Sequence, residues 1–353
     1  MTSVQVTRVG AAVLALACAA TTAWASPYRA PRTVYGAPDL QGVWSNASLT
    51  HMQRPTDLTS LVVSPAEASR YEHENAAKKK HAPVTSDTPA PPVTDSVGQD
   101  AEDLYFLPSS DLARVGGQIR TSWIVDPADG QLPYTAAARA EAKAAEYGDD
   151  HVFDNPETRP FDERCVLGVG GSAGPPFVNP GENAQLQILQ TRDYVAILAE
   201  MNHDVRIIPL RGRRHASSAI KPWMGDSVGW WDGDTLVVET VNFNPGERWH
   251  WNAGDYVLIA EGAKVTERFT RTGSRSILYR FSVDDRANYT RTWSGEMPLR
   301  QTAGLIYEYA CHEGNYALPG ILAGARKAER DVAAASSAPD RPGSPPPASP
   351  PAP

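Results

Sequence analysis

The chain has 353 residues, a formal charge of −8 and 41% hydrophobic residues, enough apolar material for a sizeable core. The acidic balance speaks against nucleic acid as a partner, because the one basic run, Lys78-Lys79-Lys80, sits in a polar helix-like stretch and reads as a solvated face. Beyond the first residues no segment approaches the roughly 20 apolar residues of a transmembrane helix, so no membrane span is expected.

Arg8, the apolar run Val9 to Ala20 and the small-x-small triplet Ala23-Trp24-Ala25 read as a secretory signal peptide over residues 1–25. Cleavage near Ala25 would deliver a periplasmic or secreted protein. Lipidation of Cys18 is the rival reading; Ala17 precedes the cysteine, but Ala15 stands where a lipobox usually has leucine.

Residues 26–182 form a proline-rich N-terminal arm with few strand signals. Within Asp39-Leu40-Gln41-Gly42-Val43-Trp44, the Gly-x-Trp pattern is similar to the opening strand of lipocalin-like barrels. Ser64 to Lys80 begins Ser-Pro-Ala-Glu, a helix-start signature with proline in the first turn. Ala82 to Asp100 reads as an exposed loop, and Tyr134 to Tyr147, rich in alanine, predicts a second helix. The Gly168 to Gly174 run lacks the Lys-Ser/Thr ending of a phosphate loop and reads as a turn.

Residues 183–335 carry the β pattern and then a helix. Alternating runs predict strands at Leu186–Gln190, Tyr194–Met201, Val205–Leu210, Ser227–Trp231, Thr235–Phe243, Lys264–Thr270, Ser276–Val283, Tyr289–Ser294 and Leu305–Cys311. Asp232-Gly233 suits a two-residue hairpin turn. The expected fold is mainly β, an antiparallel meander closing into a lipocalin-like barrel, with the partly helical arm wrapped around it and a C-terminal helix from Leu318 to Ala335. Residues 336–353, all Pro, Ser, Ala and a few polar residues, read as a disordered tail.

Two short segments concentrate the chemistry. Glu200-Met201-Asn202-His203-Asp204-Val205-Arg206 and Tyr307 to Tyr316, with Cys311-His312-Glu313-Gly314-Asn315 inside it, each set an imidazole beside carboxylates at the end of an apolar run. Histidine is the usual proton carrier near neutral pH, so His203 oriented by Asp204 or Glu200, with His312 and Glu313 as the complementary acid and Arg206 opposite developing negative charge, is the expected catalytic set. Strand parity places Glu200, Glu239 and Glu267 each in line with apolar neighbours, where an arginine partner or a shifted carboxyl is expected. Trp223 and Trp231, with Asn202 and Asn315, are the expected ligand contacts. No metal-ligand spacing stands out although His215 and His250 add to the supply, and no cofactor is implied.

With the signal removed, Cys165 and Cys311 are the remaining cysteines of an exported chain, and two thiols in an oxidising space are expected to pair. Several runs together are similar to a large family of exported bacterial proteins of uncharacterised function. They are Arg120 to Pro127, Glu163-Arg164-Cys165, Glu200 to Leu210, Trp223 to Ser227, Trp231 to Val238 and the Cys311 to Asn315 segment. The resemblance covers roughly Ala37 to Arg330 and carries no catalytic assignment. One departure stands out: where the family pattern continues Asp-Gly-Arg-Pro-His, this chain has Arg211-Gly212-Arg213-Arg214-His215. Any role that depended on that acid is in doubt here.

These residues imply an exported small-molecule enzyme working by acid–base elimination, isomerisation or hydrolysis in a barrel mouth. The alternative is a non-catalytic periplasmic carrier that holds an apolar or aromatic ligand in the same barrel.

Overall fold

The computed structural model describes residues 28–81, 111–147, 153–168, 172–178, 184–210, 212, 214–246, 249–252 and 255–337. The expected signal peptide with Cys18, most of the loop from Ala82, the middle of the glycine turn, Arg211, Arg213 and the tail after 337 lie outside the described residues, as do the side chains of Lys78 to Lys80, Trp249 and Trp251.

The arm supplies β1 (Gly42–Ser45), β2 (Val62–Val63), α1 (Pro65–His81), β3 (Arg114–Val115), β4 (Gln118–Arg120), β5 (Ile124–Asp126) and α2 (Ala136–Tyr147). After it come β6 (Gln185–Gln190), β7 (Tyr194–Ala199), β8 (Val205–Pro209), β9 (Asp226–Asp232) and β10 (Thr235–Val241). The chain continues through β11 (Trp249–Asn252), β12 (Asp255–Leu258), β13 (Lys264–Gly273), β14 (Ser276–Asp284), β15 (Trp293–Gln301) and α3 (Ala317–Ser337).

One antiparallel sheet runs in the order β8-β7-β6-β1-β15-β14-β13-β10-β9, with β5 pairing the remaining stretch of β15. A single bridge between Leu210 and Gly229 joins its two ends, so the sheet is a nearly closed barrel. Gly229 is required there, since a Cβ would lie 2.9 Å from Ile208 Cγ2 and hold β8 off β9. The β9–β10 hairpin turns on Gly233 at φ +59°, which supplies the positive φ that Asp-Gly promises.

Period-two alternation sets the wall. Leu186 and Ile188 of β6, Val195 and Ile197 of β7, Leu236 and Val238 of β10, and Val265 and Phe269 of β13 all point into one core with Trp44 and Trp293. Trp44, the aromatic of the Gly-x-Trp pattern, is fully buried and donates its indole N–H to Leu40 O at 2.9 Å. A smaller cluster of Leu58, Val63, Ala68, Tyr71 and Ile119 packs α1 against the β2–β4–β3 sheet. The start of α1 is a capping box: Ser64 N–H and Oγ donate to Glu67 Oε2 at 2.9 and 2.8 Å. Those bonds draw the Glu67 pKa below its ordinary value.

Three expectations need correction. The last barrel strand is β15 at Trp293–Gln301, not Tyr289–Ser294, and Leu305–Cys311 is not a strand. The reason is that both edges of β15 are already occupied, one by β14 and the other by β1 and β5, so a later segment finds no place in the sheet. Strand β7 ends at Ala199, and its Tyr194, Ala196 and Leu198 lie on the outer face, so they do not put Glu200 on a core face.

Candidate active site

At the β7–β8 connection the chain leaves the barrel through a tight turn, and the segment after β15 folds back over it. Glu200, buried, accepts Gln185 Nε2 at 3.0 Å and the Tyr307 backbone N–H at 3.4 Å. His203, exposed, sets Nδ1 3.3 Å from Tyr309 O. The two chemically dense segments therefore converge through the backbone of Tyr307 to Tyr309.

A disulfide between Cys165 and Cys311, with Cα atoms 5.7 Å apart, ties the Asp162 to Cys165 turn to the same segment. Between them opens a cavity of about 460 Å³ lined by Asp162, Glu163, Glu308, Tyr309, Cys311 and Asn315 among others. That volume suits a small molecule. Burial pushes the Asp162 carboxyl above its ordinary pKa, whereas Glu163 is paired with Arg159 at 2.7 Å. Asn315 donates to Glu163 O at 3.4 Å, and its Oδ1 accepts the Ala317 N–H at 3.2 Å, which joins the cavity wall to the start of α3.

Cys165, Asn202 and His203 have φ of 55°, 54° and 48°. Only glycine, and to a lesser degree asparagine, adopts this region without strain, and such residues gather where a site holds the backbone against its preference. Cys165 is bonded to Cys311 of the cavity wall and His203 faces Tyr309, whereas a fourth such residue, Asn242, with φ 57°, lies away from the site after β10.

The remaining expected residues sit as follows. Asp204 accepts the Gly168 N–H at 2.8 Å and Asn202 Nδ2 at 3.3 Å, so its carboxylate fastens the turn rather than the His203 ring. Burial raises its pKa, and the hydrogen bonds from Gly168 and Asn202 work against that rise. Asn202 is buried beside it. His312 and Glu313 are exposed on the turn after Cys311 and are not among the residues that line the cavity. Trp223 packs edge-on against Phe161 at 5.1 Å, next to Asp162, while Trp231 lies part-buried on the barrel core. Neither tryptophan lines the cavity.

Arg206 points the other way, into the barrel. Its Nη1 and Nη2 meet Glu267 Oε1 and Oε2 at 3.0 and 2.5 Å, with side-chain exposures of 2% and 0%. Tyr279 donates its hydroxyl to Glu267 Oε1 at 2.9 Å, and Arg206 also donates to Ala173 O, Ser227 Oγ and Thr240 Oγ1. Phe177 fills the space beside Tyr279 and Phe269, so the segment from Ser172 to Val178 closes this part of the interior. Of the three glutamates weighed from the sequence, Glu267 thus has an arginine partner. Glu239 lies on the outer face with Lys264 Nζ at 3.6 Å.

Sequence reasoning considered His215 and His250 only as metal ligands. His215 Nδ1 is 2.8 Å from Asp226 Oδ2, and Nε2 faces Glu239 Oε1 at 3.4 Å without hydrogen-bond geometry. It clamps the connection before β9 onto the barrel wall. His250 is wholly buried with neither ring nitrogen partnered, and burial, aided by the Arg206 charge, lowers its pKa to about 4. No signal in the sequence separated these two histidines, because what distinguishes them is their neighbours across the sheet. Among the described residues, no three His, Cys, Asp or Glu side chains are grouped to hold a metal ion.

No protein-family profile and no curated protein matches the chain.

Proposed function

We propose that this chain is an exported small-molecule enzyme that moves a proton in the cavity beside the Cys165–Cys311 disulfide. The observation that carries this reading is the pairing of His203 Nδ1 with Tyr309 O at the rim of a cavity that also holds Asp162, a carboxyl of raised pKa. A carbonyl acceptor at Nδ1 keeps the proton there and leaves the Nε2 lone pair as the base. Asp162, whose pKa burial raises above the ordinary carboxylate value, serves as the acid. The reaction is an elimination, an isomerisation or a hydrolysis, each of which a base and an acid beside one small substrate can assist.

Carriage of an apolar ligand inside the barrel is the weaker reading, because Phe177, Phe269, Tyr279 and Phe281 fill the interior and the Arg206–Glu267 pair occupies its polar part. Secretion is supported by the residues of the leader and by the disulfide, which persists in oxidising compartments. The test is to incubate the purified chain with a pool of small metabolites and follow loss of mass-resolved species. Turnover that disappears in both His203→Gln and Asp162→Asn at unchanged melting temperature supports the enzyme. A native protein that instead retains an intact ligand and converts nothing supports the carrier.

A further inference from the structure

Glu200 touches both partners of the contact that makes His203 a base. Its backbone carbonyl accepts the His203 N–H at 3.2 Å, and its carboxylate Oε2 accepts the Tyr307 N–H at 3.4 Å, just before the Tyr309 carbonyl that faces His203 Nδ1. Gln185, at the start of β6, grips Glu200 in turn. Its backbone O takes the Glu200 N–H at 2.9 Å, and its Nε2 donates to the same Oε2 at 3.0 Å. Glu200 is thereby fixed to the barrel rim, 5% exposed.

The segment that Glu200 holds has no ladder to place it. Leu305 to Ala310 pairs with no strand among the described residues, so the position of each carbonyl there depends on separate contacts. Two of these flank Tyr309: Glu200 at Tyr307 and the disulfide at Cys311. Tyr309 O accepts the Cys311 N–H at 3.0 Å and faces the His203 imidazole at 3.3 Å, as a carbonyl with two lone pairs can. A carbonyl only accepts, so this contact puts the ring proton on Nδ1. Asp204, the carboxylate next to His203 in sequence, is engaged instead by Gly168 and Asn202.

We propose that Glu200 is a positioning residue: by holding Tyr307 it sets the Tyr309 carbonyl against His203 and selects the tautomer whose Nε2 is free to take a proton. This rests on the reading of His203 as the base of the cavity. Glu200 supplies an acceptor at a fixed reach, and its charge is incidental. Its Oε2 accepts from Gln185 and Tyr307 at once, which a glutamine oxygen in the same place does equally well. Aspartate, one methylene shorter, keeps the charge and withdraws the acceptor. Position and charge are therefore separable by substitution.

Nitrogen-15 NMR of the imidazoles tests this, with the His203 signals assigned by their absence from His203→Gln. Spectra are taken at about pH 9, where an ordinary histidine is neutral. In the wild type Nδ1 carries the proton. Glu200→Ala and Glu200→Asp lower the ratio of Nδ1–H to Nε2–H about fivefold, the factor that one net hydrogen bond supplies, whereas Glu200→Gln keeps the wild-type ratio. The aspartate and glutamine variants both leave a polar side chain beside Gln185, so the comparison stands even where alanine unfolds the turn. A wild-type ratio in Glu200→Asp overturns the inference, and so does a shifted ratio in Glu200→Gln. A wild-type His203 that carries its proton on Nε2 overturns it as well. No substrate enters the measurement, so a chain that converts no metabolite sinks the proposed enzyme while the tautomer ratios still decide the role of Glu200.

Discussion

Arg206 and Glu267 meet in two parallel hydrogen bonds inside the barrel, one contributed by β8 and the other by β13, from opposite parts of the sheet order. The pair crosses the interior between strands that are not neighbours, so it fixes how the wall curves as well as neutralising two buried charges. Buried pairs of this kind gain little over apolar replacements, but losing one partner strands the other charge.

Arg206→Met alone is therefore expected to destabilise the fold by about 3–5 kcal/mol. The double change Arg206→Met with Glu267→Leu recovers most of that loss, and urea denaturation of the three proteins measures it. A double variant as unstable as the single would show that the loss comes from packing and not from an unpaired Glu267.

His250 makes stability depend on pH. Its pKa falls from the ordinary 6.5 to about 4 in the folded chain, so the unfolded chain binds the proton first as pH drops. Stability from this group is full above pH 6.5 and is lost between there and about pH 4, on the order of 3 kcal/mol in all. Asp162 and Asp204, with pKa values raised by burial, act in the opposite sense over the carboxylate range. The comparison that isolates His250 is thus the stability of wild type relative to His250→Phe, which should fall as pH drops from 7 towards 4. A difference that stays constant would mean that His250 takes up its proton as readily in the fold as in the unfolded chain.

The cavity chemistry has its own pH signature. An acid that must hold its proton loses activity as pH rises through its pKa, and burial places that limb for Asp162 above the ordinary carboxylate value of 3.8. In Asp162→Asn the descending limb should vanish along with most of kcat, with KM changed much less. An unchanged descending limb in that variant would assign the acid to Glu308 or another group.

Replacing both Cys165 and Cys311 by alanine opens a loop whose ends are 146 residues apart. Chain entropy alone predicts a loss of about 5 kcal/mol. The same change frees the Tyr309 to Asn315 wall, so turnover should fall in conditions where the variant is still folded by circular dichroism. Non-reducing peptide mapping of the wild type would first have to recover the linked pair.

The barrel was legible because its strands alternate: Val265, Glu267 and Phe269 of β13 read as one face and are together inward, whereas in β10 the face read from Val237, Glu239 and Val241 is the outer one and Leu236 and Val238 point into the core. Strand β15 was harder to see, since Glu296, Pro298 and Arg300 break its pattern. The sheet accommodates Pro298 between the stretches where β15 pairs with β5 at Gly295 and with β1 at Arg300, an edge with no ladder bond to lose. At the site, the disulfide and the meeting of the two dense segments followed from cysteine count and composition. The direction of Arg206 did not, because nothing local says that a cation beside His203 and Asp204 turns inward to a glutamate sixty-one residues later. Asp162 carried no motif either; its raised pKa arises from burial beneath a segment distant in sequence.

Strand β1 lies between β6 and β15, and its Trp44 is paired with Leu186 on one side and Gln301 on the other. A chain delivered from its N-terminus cannot seat that tryptophan until nearly all the barrel has arrived. The keystone is thus cut first and placed last. Any intermediate lacking the final strands presents an open trough instead of a wall, and the chain locks only when its last strand is in hand.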